Sequence, residues 1–485
     1  MSSVILKNAA LNSAKWTTVE KFFVQVLQFV IQTILARLLA PADFGIIGMI
    51  SVFLIVSQQF LDSGFSIALI RKQDCEKKDY STAFYFNIFV GLIFSVFFFF
   101  ISDSIAVFYK MPDLSLFTKV LGLNLFLLSL SIVQKTIYVK KFDFKSIAIN
   151  SILSISISGF VGILLAYNGY GVWALITQML LNSFIASLIF WIHSSWRPQW
   201  VFSIPSFKYM FSYGSKLLLT GIISSVMSNV TSLIIGKRYT SSDLGYYTRA
   251  EKFATVPSMA LFGIFQSVLY PLFSSVQDNN EELIKVQKRV LQCSSCLLFF
   301  LMLLLCVLAR PLILFLLTEK WSAAIVILQL LCISSMFSHI GLINIILIQV
   351  VGRSDLVLKY SIMGIPITLL ILFAAMSHGI IAICIGYIVG CQLKLLFPTY
   401  YVGKLFHYGY IKQFKDFISY LILSIICIVP TYYFFSCIIS DYLVQIVIVS
   451  ILSFSMYLIC LFFKKDIVCT MLLSICLLYT SPSPR

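Results

Sequence analysis

Thr18, Lys21, Gln25, Gln28 and Gln32 recur every three or four residues along an otherwise apolar run, which places them on one face of a helix. A later run repeats the pattern with Lys216, Thr220, Ser224, Ser228 and Thr231. Gln58, Asp62 and Ser66 stand at i, i+4 and i+8 in a second apolar segment, and Ser258, Gln266, Tyr270 and Ser274 lie in an eighth. The chemistry open to such stripes is binding. A lysine holds an anion, while amides and hydroxyls exchange hydrogen bonds with a polar ligand. The charged candidates are Lys21, Asp62, Lys119, Lys135, Lys216, Arg249 and Lys252. Lys15, Lys135 and Lys252 are near enough to helix ends to snorkel, whereas Lys21 and Asp62 sit deeper. Glu20, beside Lys21, reads as its local counter-charge.

No catalytic or metal-binding set accompanies them. His193, His378 and His407 sit at loop edges, and His339 lies in an apolar run as a satisfied core residue. Cys293-Ser-Ser-Cys296 has metal-like spacing, but there is no second pair and no nearby histidine, so it reads as two small residues at a helix start. A GxxxxGK[ST] loop is missing, which excludes a nucleotide-powered motor within this chain.

The elements that must position these stripes are dictated by composition. Of 485 residues, 60% are hydrophobic and only 11% charged, with a mean hydropathy of +0.98. Soluble domains carry about a quarter of their residues as charged groups, so the chain is expected to be an all-α polytopic membrane protein. The net charge of +16 does not indicate nucleic-acid binding, because the basic residues come in ones to fours between apolar runs. Twelve cysteines, eleven of them at Cys293 or later, form no disulfide framework. About 20 apolar residues cross a bilayer, and fourteen segments qualify: 16–39, 45–70, 80–102, 115–137, 147–167, 171–192, 210–235, 253–276, 290–317, 322–349, 356–376, 380–402, 417–438 and 442–463. No extramembrane domain fits between them. The N-terminus shows no cleavable signal, since a short polar stretch runs into an apolar segment too long for one. With both termini cytoplasmic, the inner regions hold 22 Lys and Arg and the outer regions eight, as the positive-inside rule requires. The outer connection between segments seven and eight breaks the trend with Lys237, Arg238, Arg249 and Lys252.

The chain also repeats itself. Ala36–Gly45 aligns with Gly236–Gly245 at an offset of 200, Gln73-Asp74 with Gln277-Asp278 at 204, and Lys141-Phe142-Asp143 with Arg353-Ser354-Asp355 at 212. Three matches in one order, at equivalent helix ends, predict a duplicated six-helix unit whose copies relate by a pseudo-twofold along the membrane normal. The expected organisation is an N-lobe at 1–192, an interfacial linker at 193–208, a C-lobe at 209–402, two further helices at 403–465, and a tail at 466–485. Its end, Thr480-Ser481-Pro482-Ser483-Pro484-Arg485, resembles translated adapter or vector sequence and is not expected to belong to the fold. Polar side chains at this depth are too costly to face lipid. Any one of them is explained by helix-to-helix hydrogen bonding, but four or five in line, twice, at equivalent positions, favour a shared cavity between the lobes.

Several local sequences resemble a known family. Ala36–Gly45, Phe60-Leu61-Asp62-Ser63-Gly64-Phe65, Ile70-Arg71-Lys72-Gln73, Leu244-Gly245-Tyr246-Tyr247-Thr248-Arg249-Ala250, Pro257 and Tyr270-Pro271-Leu272-Phe273-Ser274 look like those of the Wzx-type polysaccharide and O-antigen exporters. These belong to the multidrug/oligosaccharidyl-lipid/polysaccharide superfamily, and the resemblance covers residues 5–465. It implies a flippase, not an enzyme, that moves an undecaprenyl-diphosphate-linked oligosaccharide between leaflets of the bacterial cytoplasmic membrane by alternating access. It also implies membrane lipids as partners, alongside a polysaccharide polymerase and glycosyltransferases. Related lipid II flippases place basic residues of helices 1, 2 and 8 in a central cavity. Here helix 1 offers Lys21, helix 8 begins with Arg249 and Lys252, and helix 2 departs by offering Asp62. The expected cavity set is Lys21, Gln25, Gln28, Gln32, Asp62, Lys216, Arg249, Lys252 and Gln266, with no cofactor and with proton or sodium coupling open. The rival within this fold is a cation-coupled multidrug exporter, which calls for an acidic, aromatic cavity. The rival from another class is a membrane glycosyltransferase or polymerase, which calls for a catalytic loop at a membrane face.

Overall fold

The computed structural model describes residues 3–62 and 64–464, apart from the side chains of 3–15, 62, 259–264, 266 and 267, and every regular element among them is helical. In chain order the helices are α1 (Ser3–Leu38), α2 (Pro41–Asp62), α3 (Phe65–Arg71), α4 (Lys77–Tyr109), α5 (Leu114–Ser129), α6 (Ile132–Lys140), α7 (Phe144–Tyr167), α8 (Val172–His193) and α9 (Ile204–Arg238). They continue with α10 (Ser241–Ser274), α11 (Asn280–Val307), α12 (Ala309–Leu317), α13 (Ala324–Met336), α14 (Ser338–Val350), α15 (Ser354–Ala375), α16 (Ile380–Phe406), α17 (Tyr410–Ile438) and α18 (Tyr442–Phe463). Among the described residues thirteen spans are long and apolar enough to cross a membrane, with α2–α3, α5–α6 and α13–α14 each counting as one. The remaining predicted segment, 253–276, falls on α10. The tail at 466–485 lies outside the described residues.

The extra helices arise because some spans are broken. Gly64, at φ +73°, turns the chain from α2 into α3 and lies against Gly214 of α9, where a Cβ would come within 2.7 Å of the Gly214 Cα. The fourth span breaks at Leu130 without proline or glycine. Its serines bond backward, Ser129 to the Phe126 carbonyl and Ser131 to the Leu128 carbonyl, a pattern that bends helices. Neighbouring α8 supports the break: the Ser187 hydroxyl donates to the Leu127 carbonyl at 2.8 Å and the Trp191 indole to that of Leu130 at 3.0 Å. The tenth span breaks at the equivalent place, Phe337, where Ser338 donates to the Ser335 carbonyl at 2.7 Å.

The repeat is visible in the backbone. Asp43 accepts from the Ala40 amide at 2.8 Å, and Asp243 accepts from the Thr240 amide at 3.1 Å, so the same acidic residue at the third helical position reaches back to close the start of α2 and of α10. At that point the two helices cross reciprocally. A Cβ on Gly45 would fall inside the Ser241 carbonyl oxygen, and one on Gly245 inside the Pro41 carbonyl oxygen. Residue i meets j+200 while j meets i+200, which is how a twofold axis relates two surfaces.

The chain forms two compact units, divided after Gly245. By contact, α9 belongs with α2, α3 and α4 in the first, although the repeat equates it with α1. The segment expected as an interlobe linker at 193–208 is shorter and lies within the first unit. His193 still ends α8, and α9 begins at Ile204, because Ser203 accepts from the Ser206 amide and Pro205 occupies the first turn. The irregular segment 194–203 is held by α4: Ser81 accepts from the Gln199 amide and Thr82 from the Ser203 amide. Trp196 is buried there with Phe65, Phe84 and Met210. Beside it, Asp79 is 1% exposed and accepts from Lys72 at 2.7 Å and the Glu76 amide at 2.9 Å. Lys140 and Cys75 both donate to the Leu69 and Lys72 carbonyls at the end of α3.

In the second unit the core gathers on Phe299, Phe337 and Phe417. Three helices are joined there by a buried amide network. The Asn344 and Gln413 side chains pair through two 2.9 Å bonds, and Gln287 adds a third to Asn344. Tyr408, between α16 and α17, donates to Asp416 at 2.8 Å. Burial, then this hydrogen bond, hold the Tyr408 phenol well above its ordinary pKa, so it stays a donor.

Candidate functional site

Helix α1 sorts its residues by face. Glu20, Val24, Leu27, Ile31 and Leu35 share one side that goes from half-buried to fully buried along the helix. That side meets α7, where Ile31 rests on Gly159 and the Ser151 hydroxyl donates to Glu20 at 2.9 Å. Glu20 is therefore held by α7, and the local pairing with Lys21 is not formed among the described residues. Turned by about 100° lies the polar stripe. Thr18, Lys21, Gln25 and Gln28 are exposed within the chain, while Gln32 is half-buried and donates to Gln178 of α8 at 3.4 Å. Exposed Phe22 and Phe23 flank Lys21.

Helix α9 repeats this arrangement. It meets α2 and α3 through small residues, with Gly214 against Gly64 and Gly221 against the Gln59 amide. Lys216, Thr220, Ser224 and Ser228 lie exposed on the remaining surface, and Thr231 is buried at the far end of the stripe. Thr220 turns its hydroxyl back to the Lys216 and Leu217 carbonyls. The first unit thus carries two exposed polar stripes, each headed by a lysine five or more residues into an apolar helix.

Helix α10 supplies the other cations, about two to three turns inside its start at Ser241 and not in the connection after α9 where the sequence suggested them. Arg249 is half-buried and Lys252 exposed, and half-buried Glu251 between them reduces that turn to a net charge of +1. Sequence reasoning passed over Glu251, whose signal was its position beside two selected cations. Asp62 ends α2 and Gln266 lies in α10, and the side chains of both are outside the described residues. Lys119, one of the charged candidates, pairs with Asp103 at 3.6 Å and stands over the Phe99 ring.

The residues set aside behave as core. His339 is fully buried and bonded to Ser295 at 2.9 Å. Cys293 and Cys296 lie well inside α11, which begins ten residues before the segment expected from hydropathy, because Asn279 caps it. The Cys296 carbonyl accepts from Tyr457 at 2.9 Å. One cation escaped the sequence reading altogether: Lys394, the only charge in the middle of α16, whose one signal was its place within an apolar run.

Chemically, the stripes offer cations for an anion and primary amides and hydroxyls for a ligand rich in hydroxyl groups. Residues 34–326 match the family model described as polysaccharide biosynthesis protein. The chain is 25% identical over 400 residues to the lipopolysaccharide biosynthesis protein WzxC of Escherichia coli K12, covering 81% of this chain and 80% of that protein. It is 25% identical to the teichuronic acid biosynthesis protein TuaB of Bacillus subtilis 168, covering 76% and 77% respectively. Among solved structures, the lipid II flippase MurJ in an inward closed conformation superposes with a TM-score of 0.73 at 15% identity, over 93% of this chain and 99% of that one. An inward-facing multidrug MATE transporter of the MOP superfamily follows at 0.60 and 16% identity, over 79% and 95%. At such identities the likeness concerns the fold.

Proposed function

From the premise that this chain belongs to the polysaccharide biosynthesis protein family, and shares its fold with MurJ, we propose that it is a flippase for undecaprenyl-diphosphate-linked oligosaccharide in the bacterial cytoplasmic membrane. The observation that carries the reading is the α1 stripe. Lys21, Gln25 and Gln28 are exposed while the adjacent face of the same helix is committed to α7. A lysine left to lipid costs about 2.5–3.5 kcal/mol at a helix centre and less toward an end, and Lys21, the sixth residue of the span that begins at Trp16, has no ion pair among the described residues. A diphosphate is the partner that removes this cost, since charge-assisted hydrogen bonds are strong in a low-dielectric site. The glutamines and the α9 hydroxyls suit a sugar chain, whose hydroxyls both donate and accept. The isoprenoid tail needs no polar partner and stays in the bilayer.

Lys216, Arg249 and Lys252 extend the anion-binding set, and Gln32 and Gln266 the amide set. Asp62 is the proposed coupling group: a bound anion favours the protonated carboxyl, and its departure, which leaves the cations unpaired, favours the carboxylate, so that substrate release is tied to proton release. Alternating access then exposes the polar faces to the two sides of the membrane in turn. The stripes carry more lysine than acid, which favours this reading over cation-coupled export of drugs. The test is Lys21→Ala against Lys21→Arg at matched membrane abundance. Alanine is expected to abolish surface polysaccharide and arginine to retain part of it. Full export by the alanine variant would reduce Lys21 to an anchor.

A further inference from the structure

A second cation-bearing surface lies in the second unit, between α15 and α16. A groove of about 400 Å³ is lined by Tyr360, Gly364, Ile367, Lys394, Phe397 and Tyr401, among others. Helix α15 buries only Leu356 and Leu372, so the groove opens along its flank. Lys394 is the fifteenth of the 27 residues of α16 and lies ten residues before Lys404, about 15 Å from that charged end. Helical side chains lean toward the N-terminus, which points the Lys394 stem away from the nearer end. Snorkelling therefore does not serve it. Gly364 makes room for the stem: a Cβ there would lie 3.3 Å from the Lys394 Cδ. Lys394 makes no ion pair and no hydrogen bond among the described residues. The rings of Tyr360, Phe397 and Tyr401 follow one another toward the α16 C-terminus, with centroids 6.0 and 4.8 Å apart.

We propose that the α15–α16 groove binds a single-chain isoprenoid phosphate, with Lys394 pairing the phosphate and the apolar walls taking the chain. The lining selects the occupant: a lone cation in mid-helix calls for a single anionic group, and the aromatic and aliphatic walls around it call for a hydrocarbon chain. A two-chain phospholipid holds its headgroup at the membrane surface, about 15 Å from Lys394 on the count above. A lipid whose phosphate crosses the bilayer brings its charge to this depth. The aromatic hydroxyls of Tyr360 and Tyr401 lie between the membrane face and Lys394, where they can pass the phosphate inward. The inference rests on the proposed reading for its substrate class, and it places a station for the carrier lipid outside the α1 stripe.

Native mass spectrometry of the purified full chain measures retention of polyprenyl phosphate, with phosphatidylglycerol and oleate as separate probes. The full chain should retain polyprenyl phosphate in preference to both. Lys394→Met should lower that retention about tenfold, the scale of one charge-assisted hydrogen bond. Lys394→Arg should keep most of it, and Gly364→Leu, which fills the groove, should lower it as Lys394→Met does. Undiminished retention by Lys394→Met and Gly364→Leu, with loss in Lys21→Ala, would overturn the groove and leave the flippase reading standing. Equal retention of all three probes by the unaltered chain would overturn the groove as a site for polyprenyl phosphate and leave the flippase reading to the Lys21 test. Equal retention of oleate and polyprenyl phosphate, both Lys394-dependent, would overturn phosphate selectivity.

Discussion

Asp79 shows how a single buried charge is made tolerable. Its carboxylate is almost fully enclosed, yet it receives an ammonium from Lys72 and the Glu76 amide at the start of α4. Removing it leaves Lys72 without its counter-charge and the first turn of α4 without its cap. Asp79→Ala is expected to lower stability by about 3 kcal/mol, read as a drop in unfolding temperature in detergent. An unchanged transition would mean that the pair is replaceable by water. Side chains of this kind divide by how far away their partners are. The Lys21–Gln25–Gln28–Gln32 stripe was legible because helical periodicity alone defines it. Glu20 was misread because Ser151, its partner, is 131 residues away, and no local pattern reports such a contact. Lys394 was passed over because a lone cation has no periodicity to mark it.

Helices were legible where hydropathy is continuous and less so where backbone groups decide. Fourteen apolar segments were foreseen, but the breaks at Leu130 and Phe337 depend on serine back-bonding and on donors from α8, Ser187 and Trp191, which become partners only once the fold exists. The capping aspartates, Asp43 and Asp243, could be matched from sequence because a cap acts within three residues. The tight crossing two residues later could not, since a glycine in sequence does not say what backbone approaches it. Gly45→Ala sets a methyl group into the Ser241 carbonyl, and no side-chain rotation relieves a backbone clash. The expected cost is about 3 kcal/mol, measured as loss of folded protein by fluorescence-detected chromatography. Gly245→Ala should behave alike, because the Pro41 carbonyl meets it in the same way. Wild-type behaviour from either variant would show that α2 and α10 separate freely.

For the whole molecule, the charge distribution predicts an orientation, and one native thiol tests it. If both termini are cytoplasmic, as the 22-to-8 division of basic residues predicts, α17 should run outward from Lys412 and Lys415 to Cys437, which is exposed near its end. A membrane-impermeant maleimide applied to intact cells should label Cys437 where the outer face is reachable, and Cys437→Ser should remove that label. Labelling only after the membrane is opened would invert the topology. If the chain is the duplicated six-helix unit that the offset of 200 predicts, the reciprocal crossing of Gly45 and Gly245 bears on the history of the gene. In a symmetric dimer of a six-helix ancestor the two positions are one codon, and any substitution there damages the contact twice at once. Fusion of two copies splits that codon into two, each free to vary while the other stays constant. Mutations that the ancestral dimer could not survive thereby become single, testable steps, and the two halves of the crossing can be evolved apart in the laboratory.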